Sequence, residues 1–181
     1  MMVPLFYLNR YSESVVQQLP WSSFVTTLRD FGGTRALVPT TNIGSSIDLI
    51  VQPSFFGEQF GGYNDAWRLS GPLASNIDLF KVCLPKALGR ARLPRFFTHD
   101  SLLWEAASHK IIFDALENGG TFVGRASAVQ PDDCETKLAP GLKQEWREKH
   151  ADILPELFKY AQTLELHGWP EVPLRDYANS T

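Results

Sequence analysis

The chain has 181 residues, of which 20% are charged and 44% hydrophobic, and a net charge of −3. This is ordinary globular composition, which excludes a disordered chain, and the slight negative balance excludes a general basic field for collecting nucleic acid. No apolar run approaches the ~20 residues of a spanning helix, and the N-terminal "MMVPLFYLNRY" has neither the basic start nor the cleavage site of a signal peptide.

In chain order, 3–8 is expected as a short strand, and Ser12 as the cap of a helix reaching Leu19, stopped by Pro20. Ser22 or Ser23 caps a second helix, "SFVTTLRDF", which runs to Gly32-Gly33. A brief element ends at Pro39. Residues 46–52 read as a strand from their β-branched content, with Pro53 closing it. The segment 53–66, rich in glycine and aromatics, reads as a loop. Further strands are expected over 66–70 and 77–84, the latter closed by Pro85. The stretch "KALGRARLPR", Lys86 to Arg95, holds four basic residues and no acidic one.

The clearest helix spans 101–117, capped by Thr98 or Asp100 and ended by Asn118-Gly119-Gly120. It is apolar almost all round, so it is expected to be largely buried. A strand over 121–129, an acidic loop over 131–135 and helices over 142–150 and 153–166 complete the pattern. The fold class is α+β: a small mixed sheet in residues 1–97, and a mostly helical part, 98–181, packed on it or continuous with it as one domain.

Two aspartates stand out. Asp48 in "GSSIDLIV" and Asp78 in "SNIDLFKV" each lie between apolar residues, where a carboxylate is costly without a partner or a task. Cys83 and Cys134 lie far apart without a Cys-x-x-Cys pattern, and two free thiols in a reducing cytoplasm are expected. Among the histidines, His99 beside Asp100 reads as part of a helix start, and His109 as a hydrogen-bonded core residue. His150 and His167 fall near helix C-termini. Trp67, next to the glycine-rich loop, is a candidate ligand platform. There is no Gly-x-Ser-x-Gly and no dinucleotide fingerprint.

The order Gly-Gly-Thr, a short stretch, a serine-rich turn and Ile-Asp-Leu, within "FGGTRALVPTTNIGSSIDLIV", resembles the signature of polymerase-beta-like nucleotidyltransferases. The resemblance implies that Gly32, Gly33 and Thr34 hold nucleotide phosphates. It implies that Asp48 and Asp78 bind magnesium and are catalytic, since carboxylates and divalent cations offset triphosphate charge in phosphoryl transfer. Lys86 and Arg90 would meet phosphate. Ser46 stands where the family has its first acid, so the expected protein is an active or a degenerate member. It would bind a nucleoside triphosphate and act on an unknown acceptor in the cytoplasm. The competing expectation is a non-catalytic interaction module such as an adaptor, inhibitor or immunity-type protein. Its contact surfaces would be the aromatic segment 53–67 and the acidic loop 131–135.

Overall fold

The structure, a computed structural model, describes residues 17–18, 22–48, 67–92, 96–118, 123–135, 138–151 and 173. The expected elements over 3–8, 53–66 and 153–166 lie outside these residues, as do most of the 12–19 helix and the 49–52 end of the expected strand. The described residues are mixed α+β and belong to two compact units, of which Thr34–Ala151 forms one.

The first helix, α1 (Ser23–Asp30), belongs to the other unit. The Ser22 hydroxyl accepts from the Val25 N–H at 3.0 Å, as an N-cap does. At its end the Gly32 N–H donates to the Arg29 carbonyl at 2.9 Å and the Gly33 N–H to the Leu28 carbonyl at 2.7 Å. Gly32 has φ +79°, the left-handed conformation that closes a helix C-terminus. The glycine pair is therefore a helix stop.

In the Thr34–Ala151 unit, β1 (Thr40–Gly44) and β2 (Ala74–Asp78) form a two-stranded parallel sheet, in register from Thr40↔Ala74 to Gly44↔Asp78. β1 begins immediately after Pro39, and the expected strand at 46–52 is replaced over Ser45–Asp48 by a turn. Of the expected 66–70 strand, only Ser70 pairs, in an isolated bridge with Arg35. β2 runs directly into α2 (Leu79–Leu88), a helix that includes Pro85, so the expected strand over 77–84 is mostly helical. The switch occurs at Asp78, whose carboxylate accepts from the Lys81 N–H at 3.3 Å and so caps α2.

After a 3₁₀ turn at Asp100–Leu103 comes α3 (Ala106–Glu117). Only one side of α3 is covered. Ala106, Ala107, Ser108 and Ile111 are buried, whereas Ile112, Phe113 and Leu116 are exposed. The expectation of a largely buried helix is thus corrected: its apolar perimeter is wider than the face the unit covers. The expected strand over 121–129 is extended chain from Val123 to Arg125 followed by a 3₁₀ turn, Ala126–Ala128. The acidic 131–135 segment is a short helix, α4 (Pro131–Glu135), and α5 (Gln144–Ala151) comes after it.

The core gathers Ile77, Leu79, Cys83, Phe97, Ala107, Ile111, Val129 and Cys134. It lies where β2, α2, α3 and α4 meet, and burial of these side chains is its main driving force. Cys83 and Cys134 are joined in a disulfide with Cα atoms 5.5 Å apart, which corrects the expectation of two free thiols. Sequence separation hid this pair, because the packing of α2 against α4 brings them together. Beside it, Arg90 pairs with Asp132 at 2.5 Å and with Glu135 at 3.1 Å, and Arg92 also pairs with Glu135. The basic stretch therefore faces acids of the same unit. Where Gly124 passes α3, a Cβ would come within 2.6 Å of the Ile111 carbonyl, so only glycine fits.

Two outcomes test this packing. The disulfide closes a sequence separation of 51 residues. Chain entropy assigns such a closure about 4 kcal/mol, so Cys83→Ala or reduction is expected to lower the urea midpoint accordingly. The second concerns Asp114, which accepts hydrogen bonds from Arg125 Nη2 at 2.6 Å, Nε at 3.1 Å and its backbone N–H at 2.8 Å. The Arg125 side chain holds the Asp114 carboxyl below its ordinary value. A carboxyl depressed on folding adds stability above its unfolded pKa of about 3.9, and that stability disappears as pH falls through the folded value. The Tm difference between the parent and Asp114→Asn is expected to be widest near neutrality and to close below about pH 4.

Candidate active site

Both aspartates singled out in the sequence are buried, although by different means and for different ends. The first sits at the close of a tight turn leaving β1. The Asp48 N–H donates to the Ser45 carbonyl at 3.0 Å, and the Ile47 N–H donates to the Ser45 hydroxyl at 3.3 Å. A serine at the head of a turn favours this arrangement, because its hydroxyl substitutes for a backbone acceptor. The end of β1 is packed closely: a Cβ on Gly44 would come within 2.5 Å of the Trp67 ring. Trp67 is thus a packing partner of the strand, with the Arg68 guanidinium 5.2 Å from its ring centre.

Asp48 Oδ2 lies 2.9 Å from His99 Nδ1. The carboxylate side chain is only 6% exposed while the imidazole is 40% exposed, so the acid lies beneath and the base faces outward. His99 is held from both sides along the chain. Phe97, two residues earlier, is fully buried in the core. The Thr98 carbonyl accepts from the Ser101 N–H at 3.1 Å and from the Ser101 hydroxyl at 3.0 Å, turning the chain around His99. A carboxylate is an acceptor only, so the neutral ring carries its proton on Nδ1 and leaves the Nε2 lone pair available. Among the described residues Nε2 makes no hydrogen bond. An outward-facing imidazole oriented by a buried carboxylate is an arrangement that nucleophilic catalytic sites use for a base and its orienter.

The second aspartate points elsewhere. Asp78 Oδ1 accepts from the Ser46 N–H at 3.2 Å as well as from Lys81, and Oδ2 lies 3.6 Å from Lys81 Nζ. Asp48 and Asp78 are therefore engaged with different protein groups. Among the described residues no group of three or more His, Cys, Asp or Glu side chains converges as a cation site. Ser46 is buried in the Asp48 turn. Gly32 and Gly33 close α1, and the Thr34 carbonyl accepts from the Ser70 N–H at 2.6 Å. Arg90 is bound to Asp132 and Glu135, and Lys86 lies in the last turn of α2.

Of the residues expected to act, the structure brings Asp48 to an acid–base contact, but with a partner that its sequence neighbourhood does not indicate. In the sequence His99 stands beside Asp100, as part of a helix start. The acid that matters to it is Asp48, which is 51 positions away. No local spacing reveals such a pair. The nearest signal is the apolar setting of Asp48 itself, which requires a partner. His109, by contrast, is hydrogen-bonded as expected, its Nε2 lying 2.8 Å from the Leu103 carbonyl, but it is half-buried and not a core residue.

No protein-family model matches the chain. Over 77 residues it is 40% identical to lipase B of Pseudozyma antarctica, a match spanning 39% of this chain and 22% of that protein. It is also similar to the crystal structure of Aspergillus fumigatus lipase B, with a TM-score of 0.71 and 28% identity over 97% of this chain and 40% of that one. The chain thus spans less than half the length of either relative. These likenesses overturn the polymerase-beta resemblance, which rested on a motif of about twenty residues whose glycines prove to be a helix stop. Two expectations derived from it fall with it: a nucleoside triphosphate as partner, with Gly32, Gly33, Thr34, Ser46, Lys86 and Arg90 as its expected holders, and nucleotidyl transfer to an acceptor. They also oppose the non-catalytic interaction module, because the relatives are enzymes by name.

The close fit around Gly44 gives a direct check. Gly44→Ala is expected to lower stability by about 1–3 kcal/mol, as overpacking does, measured by urea unfolding.

Proposed function

We propose that the chain carries the acid–base part of a lipase-like hydrolase that cleaves carboxylic esters of lipids. The observation that carries this reading is the 2.9 Å contact between buried Asp48 and the outward-facing His99. The similarity to two lipases supports it. The chain order also agrees, because in α/β-hydrolases the acid precedes the histidine and the nucleophilic serine precedes both.

In this mechanism His99 Nε2 takes the proton of a serine hydroxyl as its oxygen attacks the ester carbonyl. Asp48 holds the ring in the Nδ1–H tautomer and stabilises the imidazolium that forms. The imidazolium then gives its proton to the departing alkoxide, leaving an acyl-enzyme. Water repeats the cycle with His99 as base, releasing the fatty acid and restoring the serine. No Gly-x-Ser-x-Gly occurs in these residues, so the serine and the oxyanion donors would come from outside the described residues. More than half of each relative's length has no counterpart here, which leaves room for them.

No helix of the described residues is long and apolar enough to cross a membrane. The Cys83–Cys134 bond favours an oxidising compartment over the cytoplasm, since such bonds persist where thiols are not kept reduced.

The test is hydrolysis of p-nitrophenyl esters of short and long acyl chains by the complete natural polypeptide. Asp48→Asn is expected to lower kcat roughly 10⁴-fold, as loss of the orienting carboxylate does, and His99→Ala at least as much, with KM little changed. Undiminished turnover in His99→Ala would remove the reading.

A further inference from the structure

The carboxylate of Asp78 is buried and takes no part in the Asp48–His99 contact. It is 6% exposed and lies directly opposite Gly44 in the parallel register. Its Oδ1 receives two backbone N–H groups from different parts of the unit: Lys81, in the first turn of α2, and Ser46, inside the turn that ends on Asp48. A cap needs only the first of these. The second crosses from β2 to the loop after β1, at a sequence separation of 32, and is buried. Ser46 and Asp48 belong to one turn, closed by the Asp48 N–H on the Ser45 carbonyl. A donor fixed at Ser46 therefore fixes where the Asp48 side chain begins.

We propose that Asp78 is a positioning residue for the acid–base pair: it clamps the Ser45–Asp48 turn through the Ser46 N–H and so keeps the Asp48 carboxylate under His99 Nδ1. The inference rests on the hydrolase reading for its meaning, but its geometry is read on the chain itself. Asp78 contacts neither the imidazole nor any reacting group. Its effect passes through one backbone hydrogen bond and one turn. A charged acceptor suits this task because hydrogen bonds to ionised groups are shorter and stronger than those between neutral groups.

The experiment reads the tautomer of His99 in the ¹⁵N-labelled chain, by long-range ¹H–¹⁵N spectra at about pH 8.5, where an ordinary imidazole is neutral. The parent is expected to show the Nδ1-protonated pattern, because the partner of one ring nitrogen decides which one holds the proton. Asp78→Ser keeps a capping oxygen for the Lys81 N–H, as serine does at helix starts. Being one atom shorter, it loses Ser46, and His99 is expected to revert towards the Nε2-protonated pattern of free imidazole while the rest of the spectrum stays folded. Asp78→Asn retains an oxygen in the same place and is expected to restore the parent pattern. If Asp78→Ser leaves the Nδ1–H pattern intact, or if Asp78→Asn behaves like Asp78→Ser, the proposal is overturned. Asp48→Ala separates the two levels. If it leaves the pattern of His99 unchanged, the acid–base pair itself is absent and the hydrolase reading fails, whatever Asp78 does.

Discussion

The parallel register of two five-residue strands governs the site. With Gly44 opposite Asp78, the chain leaves β1 and enters α2 at the same edge of the sheet. The turn that delivers Asp48 and the carboxylate that caps α2 are then neighbours by construction. A shift of one residue would send every alternate side chain to the opposite face, taking Asp48 and Asp78 away from their present partners. The register is supported from outside the two strands. The Thr41 hydroxyl accepts from the Gly124 N–H at 2.7 Å, and the Ser75 hydroxyl donates to the Gly124 carbonyl at 3.0 Å. The extended chain before the 3₁₀ turn at 126–128 thus ties both strands to the surface of α3.

Burial divides the labour between the two members of the pair. A carboxylate beneath the surface is shielded from water and meets few competing donors, so its contact with His99 is better defined than an exposed pair would be. In the proposed hydrolase the imidazole reaches a second group, and its exposure permits that. The core supplies the stiffness: Phe97 anchors the chain just before His99, and the turn at Ser101 fixes it just after. Catalytic geometry of this kind depends on neighbours that hold each group near its working position.

Local structure is legible in the sequence where short-range chemistry decides it. Ser22 as a cap, the glycine stop after α1 and the end of α3 near Asn118 come from rules that act over three or four residues. The sequence is less informative where an apolar run fits two periodicities. "IDLFKVCL" has the composition of a strand, yet Asp78 is a helix cap and the residues after it form α2. The aspartate is itself the capping signal, and Pro85, which suits the end of a strand, lies inside the helix. Similarly, "SSID" is a turn although its composition favours a strand, because Ser45 closes a hydrogen-bonded loop. The candidate site is half legible. The cost of burying Asp48 draws attention to it, but its partner and the bond between Cys83 and Cys134 are set by tertiary packing, which no window of neighbouring residues contains. The short glycine motif misleads because a helix terminus and a phosphate-binding turn both use glycine at positive φ.

The bridge from the turn after β1 to the end of β2 has a further meaning for how this protein can change over time. Backbone pairing from Thr40↔Ala74 to Gly44↔Asp78 and the Ser46–Asp78 bond set where the acid sits relative to β2. Sequence change at these paired positions is therefore coupled to the placement of Asp48, whereas exposed positions such as Leu37 and Val38, which precede β1, are free of that constraint.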